Sequence, residues 1–87
     1  MDIGSVQRIA WDNKVLKGFN TTDVPLEFCM LQEKAAAAFG AWRKGGGKLG
    51  EELADVVLYV ASIAEMTGLD LRAEVKSKTE RNAARPD

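Results

Sequence analysis

The chain contains no histidine and a single cysteine, Cys29, so two common sources of catalytic and metal-binding groups are missing or scarce. Without histidine there is neither the commonest general base nor the usual zinc ligand. A lone cysteine excludes an intrachain disulfide and indicates a reducing cytoplasm, and its apolar neighbours predict that Cys29 is buried. Any metal site must therefore use oxygen ligands, which favours Mg²⁺, Mn²⁺ or Ca²⁺.

An excess of positive charge and a long hydrophobic run are also missing. The net charge of −1 argues against nonspecific nucleic-acid binding, which needs a basic surface. The most apolar segment, Leu53–Met66, is too short to span a membrane and follows two acidic residues. The 87 residues predict one domain, residues 1–87, with a small core. Because 46% of the residues are hydrophobic, we expect self-association into a homodimer or homotetramer.

Apolar spacing predicts an all-α protomer of four helices, with no strand pattern of useful length. Gly18, a triple glycine and Thr67-Gly68 separate the helices, while Thr22 or Asp23 and then Asp70 supply N-caps. The third helix is apolar around most of its circumference, which indicates packing inside the protomer and against a second subunit. The predicted helices cover approximately Ile3–Lys17, Pro25–Arg43, Gly50–Met66 and Leu71–Ala84.

Acidic residues interrupt the apolar faces of the two middle helices. Glu52 and Asp55 are three residues apart, so they share one face of the third helix. Glu33 is the only charge on an apolar stripe of the second helix. Acids in a first helical turn need no metal, because the helix dipole stabilises them. Three carboxylates facing one another would repel unless they held a cation, however, and the trio predicts an oxygen-ligand metal site between the helices.

The fourth helix carries a second set of polar residues at helical spacing, namely Lys78, Asn82 and Arg85. They continue a stripe that begins with Leu71 and Val75, which we expect to face the core. Lysine and arginine are the usual partners of phosphate, although cations also suit a helix C-terminus. The large aromatic side chains are expected to fill the core, with stacking on a base as the alternative. They are Trp11, Phe19 and Trp42.

Over nearly its whole length the chain resembles the MazG-like nucleoside triphosphate pyrophosphohydrolases, the all-α NTP pyrophosphatases. The most specific similarity is the segment 51–57, Glu-Glu-Leu-Ala-Asp-Val-Val, which has the form of the family's E-x-x-D motif. The segment 31–37 occupies the place of the first acidic motif. The family's N-terminal segment resembles the first helix here, with Trp11 and residues 17–19. The C-terminal part of the family's sequences resembles residues 68–71 followed by Lys78, Asn82 and Arg85.

The resemblance implies an oligomeric bundle of helical protomers and a Mg²⁺-dependent enzyme. The implied reaction cleaves a nucleoside triphosphate between its α- and β-phosphates, giving the monophosphate and pyrophosphate, and could serve to remove non-canonical nucleotides. Glu33, Glu52 and Asp55 would be the catalytic metal ligands for Mg²⁺ or Mn²⁺. Lys78, Asn82 and Arg85 would bind the phosphates, and Trp11 would contact the substrate.

One position departs from the family pattern. The first acidic motif has the form E-x-x-E, but Glu33 is followed three residues later by Ala36, and Gln32 replaces a frequent glutamate. One expected carboxylate is therefore missing. The alternative to an active enzyme is a catalytically weakened homologue that binds nucleotides or acts as a helical interaction module.

Overall fold

The computed structural model describes residues 1–86, and these residues form four helices and no strand. The predicted all-α, four-helix protomer is therefore confirmed for this part of the chain. Both middle helices begin one residue earlier than predicted. The helices are α1 (Ile3–Lys17), α2 (Val24–Arg43), α3 (Leu49–Met66) and α4 (Leu71–Ala84).

Aspartate caps define the N-termini of three helices. In each case the side chain accepts a hydrogen bond from the backbone N–H three residues later, which satisfies a donor left free at a helix start. Gly18 ends α1 with a left-handed φ of 70°, and Phe19 N then reaches back to Lys14 O at 2.9 Å. The capping residues are Asp2, Asp23 and Asp70, at 2.8, 3.0 and 3.2 Å from their donors.

Helix α3 lies at the centre of the protomer and packs against both α2 and α1. Its second half carries most of the buried core, because residues 61–64 are all buried. The core includes few large apolar side chains: the buried apolar residues are Ala38, Ala61, Ile63 and Ala64. Small residues allow the helices to approach closely, but they leave the larger apolar side chains near the surface.

A buried ion pair joins α1 to α2, the two helices that pack against α3. Glu27 is only 1% exposed, and its Oε2 atom lies 2.9 Å from Lys14 Nζ. The two atoms are close enough for an ion pair, but their geometry is not that of a regular hydrogen bond. Asn20 Nδ2 donates to Glu27 Oε1 at 3.2 Å. Because a buried carboxylate is costly without compensation, Lys14 and Asn20 make this arrangement of helices possible.

Gln7 connects α1 to the turn between α3 and α4. Its Nε2 atom donates to Glu65 Oε2 at 2.8 Å and to Leu69 O at 2.9 Å. Its Oε1 atom accepts from Leu71 N at 3.0 Å. These three hydrogen bonds of the buried amide thus join α1 to the end of α3, to the turn and to the start of α4, which otherwise contacts the body mainly through α1.

Several expectations about burial are wrong for this single chain. Cys29 is exposed, and Phe19 and Trp42 are 55% and 63% exposed rather than in the core. Val75 is also exposed, whereas Leu71 at the start of the same stripe is half-buried, so the apolar part of the stripe faces the core only at its first residue. The physical reason is that, among residues 1–86, α3 packs mainly against α1 and α2, which leaves outward apolar faces uncovered.

The helices of residues 1–86 include none with the length and apolar character needed to cross a membrane.

We expect Lys14→Met to lower the free energy of unfolding by about 3 kcal/mol, because it leaves the buried Glu27 carboxylate without its cation. Lys17→Met is the matched control, since Lys17 is exposed on the same helix, and it should change stability by less than about 0.5 kcal/mol. Urea denaturation measures both. Equal, small losses in the two variants would contradict a role for the ion pair.

The same pair predicts how acid affects the fold. Burial opposes ionisation of Glu27, but the neighbouring Lys14, Ser62 and Asn20 side chains outweigh it and hold the pKa below the ordinary 4.5. A carboxyl whose folded pKa is lowered stabilises the fold above the unfolded pKa. This contribution is lost as the pH falls through the lower folded value.

Wild type should therefore lose more stability than Glu27→Gln between about pH 5 and pH 3, because the amide does not titrate. Urea midpoints measured across this range test the difference. Parallel pH profiles for the two proteins would show that Glu27 contributes nothing to acid sensitivity.

Candidate functional site

The first turns of α3 bring two carboxylates to the surface of α2, where a lysine meets them. Lys34 Nζ lies 3.5 Å from Asp55 Oδ2 and 4.0 Å from Glu52 Oε2. The spacing of three residues places Glu52 and Asp55 on one side of α3, as predicted. We call Lys34, Glu52 and Asp55 the acidic-pair site.

The acidic-pair site is partly open to solvent but holds one unsatisfied atom. Between a fifth and two fifths of each side chain is exposed, with Lys34 at 30%. Glu52 Oε2 is nevertheless buried and receives no hydrogen bond among residues 1–86. A buried carboxylate oxygen without a donor is costly, so this atom is well suited to a cation closer than the lysine ammonium.

Charges around the site shift two pKa values. The hydrogen bond and charge of Asp55, together with the charge of Glu52, raise the pKa of Lys34 above its ordinary 10.5. Burial raises the pKa of Tyr59 above its ordinary 10.0, and the charge of Glu27 adds to this effect. At neutral pH Lys34 is therefore a cation, and Tyr59 keeps its hydroxyl proton.

Two cavities flank the acidic pair. Asp55 lines a cavity of about 200 Å³ between α1, α2 and α3, whose lining also includes Phe19, Tyr59 and Glu27. Glu52 lines a larger cavity of about 470 Å³ together with Lys44 and Lys48 from the loop around the triple glycine. The pair thus lies between a partly aromatic cavity and a positively charged one.

The other predicted site residues are not assembled with this pair. Glu33 is exposed on α2, and residues 1–86 contain no group of three or more acidic or cysteine side chains placed to hold a metal ion. Lys78, Asn82 and Arg85 are exposed on or just beyond α4, which contacts α1. Their roles stay predictions.

Trp11 lines a different cavity. It is half-buried beside Gln7 and Arg72, in an opening of about 570 Å³ between α1 and the start of α4. Trp11 therefore lines a different cavity from the acidic pair in the single chain. Its contact with a substrate stays a prediction.

Three features of the site were not anticipated from the sequence. Lys34 was assigned no function, although its position beside Glu33 allows it to face α3 when Glu33 faces solvent. Lys44 and Lys48 share a cavity with Glu52, although no motif in the sequence links them to it. No sequence pattern marks Glu27, because its pairing with Lys14 depends on how α1 crosses α2.

The donors present at the acidic-pair site suit Mg²⁺ or Mn²⁺. Two carboxylates supply hard oxygen ligands, and Mg²⁺ commonly binds through one or two carboxylates while it retains several waters. The unpartnered Glu52 Oε2 is the observation that favours a cation at this place. Ala36 is exposed on α2 and contributes no ligand.

No family model matches the chain, and comparisons with curated proteins and with solved structures give no match either.

Proposed function

We propose that this protein is a MazG-like, Mg²⁺-dependent nucleotide pyrophosphohydrolase. It would cleave a nucleoside triphosphate to the monophosphate and pyrophosphate. The observation that carries the proposal is the acidic pair with its buried, unpartnered Glu52 oxygen at the α2–α3 contact. Its sequence, Glu52-Leu53-Ala54-Asp55, is also the most specific part of the family resemblance.

Glu52 and Asp55 would hold the ion, with Glu33 as the further ligand that the resemblance implies. When bound, the ion would neutralise charge on the phosphates and activate a water. The protein's own contribution is to position the nucleotide. Lys44 and Lys48 supply positive charge on the Glu52 side, where phosphate groups would be favoured. Phe19 and Tyr59 supply aromatic surface on the Asp55 side, next to the narrower cavity.

The proposal includes a homodimer or homotetramer in the cytoplasm. Large apolar side chains are exposed on both helices of the α2–α3 pair, and burying them in an interface would stabilise the small protomer. The resemblance assigns phosphate binding to Lys78, Asn82 and Arg85, which are exposed on or just beyond α4. The exposed apolar side chains on α2 and α3 include Phe28, Phe39, Trp42, Leu53 and Val57.

A second candidate function is a catalytically weakened homologue that binds nucleotides or acts as a helical interaction module. Two observations favour it. Ala36 stands where the family pattern has a carboxylate, and Lys34 already supplies a positive charge to Glu52 and Asp55.

The first proposal predicts pyrophosphate release from at least one member of a panel of canonical and modified nucleoside triphosphates with Mg²⁺ or Mn²⁺. Glu52→Gln should reduce the rate by roughly 100-fold or more, because it removes a proposed ligand. Glu51→Gln is the matched control, because Glu51 has the same charge on the same turn but is exposed and outside the pair. A folded wild-type protein that turns over no nucleotide would contradict the proposal.

The second candidate predicts that Ala36→Glu gains Mg²⁺ affinity or activity, because it restores the missing carboxylate. Titration calorimetry with Mg²⁺ and the pyrophosphate assay measure the two effects. Ala35→Glu adds the same charge one residue away and serves as the control. If wild type is already fully active and Ala36→Glu changes neither quantity, the chain is not a weakened homologue.

A further inference from the structure

Among residues 1–86, the lysine–carboxylate contacts that join different helices differ in distance and in exposure to water. Lys14 lies 2.9 Å from Glu27, and the two side chains are 12% and 2% exposed. Lys34 lies 3.5 Å from Asp55 and 4.0 Å from Glu52, and it is 30% exposed. The first contact is short and enclosed, whereas the second is longer and open to water.

This difference decides which ammonium group can leave its partners. Removing Lys14 from Glu27 would strand a charge away from water, which is strongly unfavourable. Lys34 can move its ammonium into solvent while its stem stays on α2, and partly exposed ion pairs contribute little to stability. The carboxylates that it leaves are also partly solvated, and they remain fixed on the rigid first turns of α3.

The contacts of Glu52 show that Lys34 compensates the pair incompletely. Its ammonium is 4.0 Å from Glu52 Oε2, beyond hydrogen-bond distance, and this buried oxygen has no other partner among residues 1–86. A divalent ion carries twice the charge of the ammonium and binds carboxylate oxygens at about 2.0–2.6 Å. The negative charge of the two carboxylates is therefore incompletely compensated, and a divalent ion would compensate it better than the lysine does.

From this geometry we infer that Lys34 is an internal counter-cation that competes with a divalent metal ion for Glu52 and Asp55. The inference rests on the proposed function, since it concerns the same pair of carboxylates. In the absence of metal, Lys34 limits the repulsion between the two acids. Metal binding requires the ammonium to move away, so Lys34 sets the metal concentration at which the site fills.

The test is Mn²⁺ binding to the full chain without nucleotide, measured by electron paramagnetic resonance of the free ion. Lys34→Met removes the charge and keeps an apolar stem of similar length, so its Mn²⁺ dissociation constant should be about tenfold lower than that of wild type. Lys17→Met makes the same change in net charge on exposed α1 surface and should bind Mn²⁺ as wild type does. Lys34→Gln provides a second, polar variant if Lys34→Met folds poorly.

Thermal melting gives a readout that a merely structural lysine would not produce. Without divalent ions, Lys34→Met should melt slightly below wild type, because the two carboxylates lose their counter-cation but a partly exposed ion pair contributes little to stability. Saturating Mn²⁺ should restore the midpoint to the wild-type value or above. A lower midpoint that Mn²⁺ does not restore, or Mn²⁺ affinity equal in wild type and both Lys34 variants, would overturn the inference.

These results are distinct from those that test the proposed function. Tighter Mn²⁺ binding by Lys34→Met without turnover of any nucleotide would uphold the counter-cation and reject the pyrophosphohydrolase. Turnover by wild type together with unchanged Mn²⁺ affinity in the Lys34 variants would uphold the enzyme and reject the counter-cation.

Discussion

The arrangement of these helices depends on lysines that compensate the carboxylates at the contacts between α2 and its neighbouring helices. Glu27 is buried on α2 and is held by Lys14 of α1. Glu52 and Asp55 of α3 meet Lys34 of α2. In both places a lysine on one helix meets a carboxylate on another, so each charge contact links two helices. The small apolar core, dominated by alanine and Ile63, then packs around this arrangement.

The two contacts have different consequences because their exposure to water differs. An enclosed pair can only be structural, since neither partner can leave without a large cost in free energy. A pair open to solvent can exchange its cation, and this is the property that a metal-binding site requires. The protein therefore combines an enclosed charge contact between α1 and α2 with a solvent-open one at the N-terminal end of α3, between two cavities.

Local sequence features predicted the helices well. Aspartate caps and Gly18 act within a few residues of their own positions, so the ends of α1 and α4 could be identified without tertiary information. The pairing of Glu52 with Asp55 was equally predictable, because both lie on one helix. Lys34 was not, because its neighbourhood depends on how α2 is rotated against α3. Burial of Cys29, Phe19 and Trp42 was wrong for a related reason: apolar character predicts a tendency to be covered, whereas actual burial depends on which helices pack over a residue.

The central claim is that Glu52 and Asp55 form a divalent-metal site in which Lys34 stands in when the ion is absent. The most direct measurement is a crystal structure of the protein with Mn²⁺ and a non-hydrolysable nucleoside triphosphate, examined by anomalous scattering. The account predicts a Mn²⁺ peak between the carboxylates of Glu52 and Asp55, with the Lys34 ammonium displaced from both. Nucleotide bound with Lys34 still in place and Mn²⁺ at other residues would contradict it.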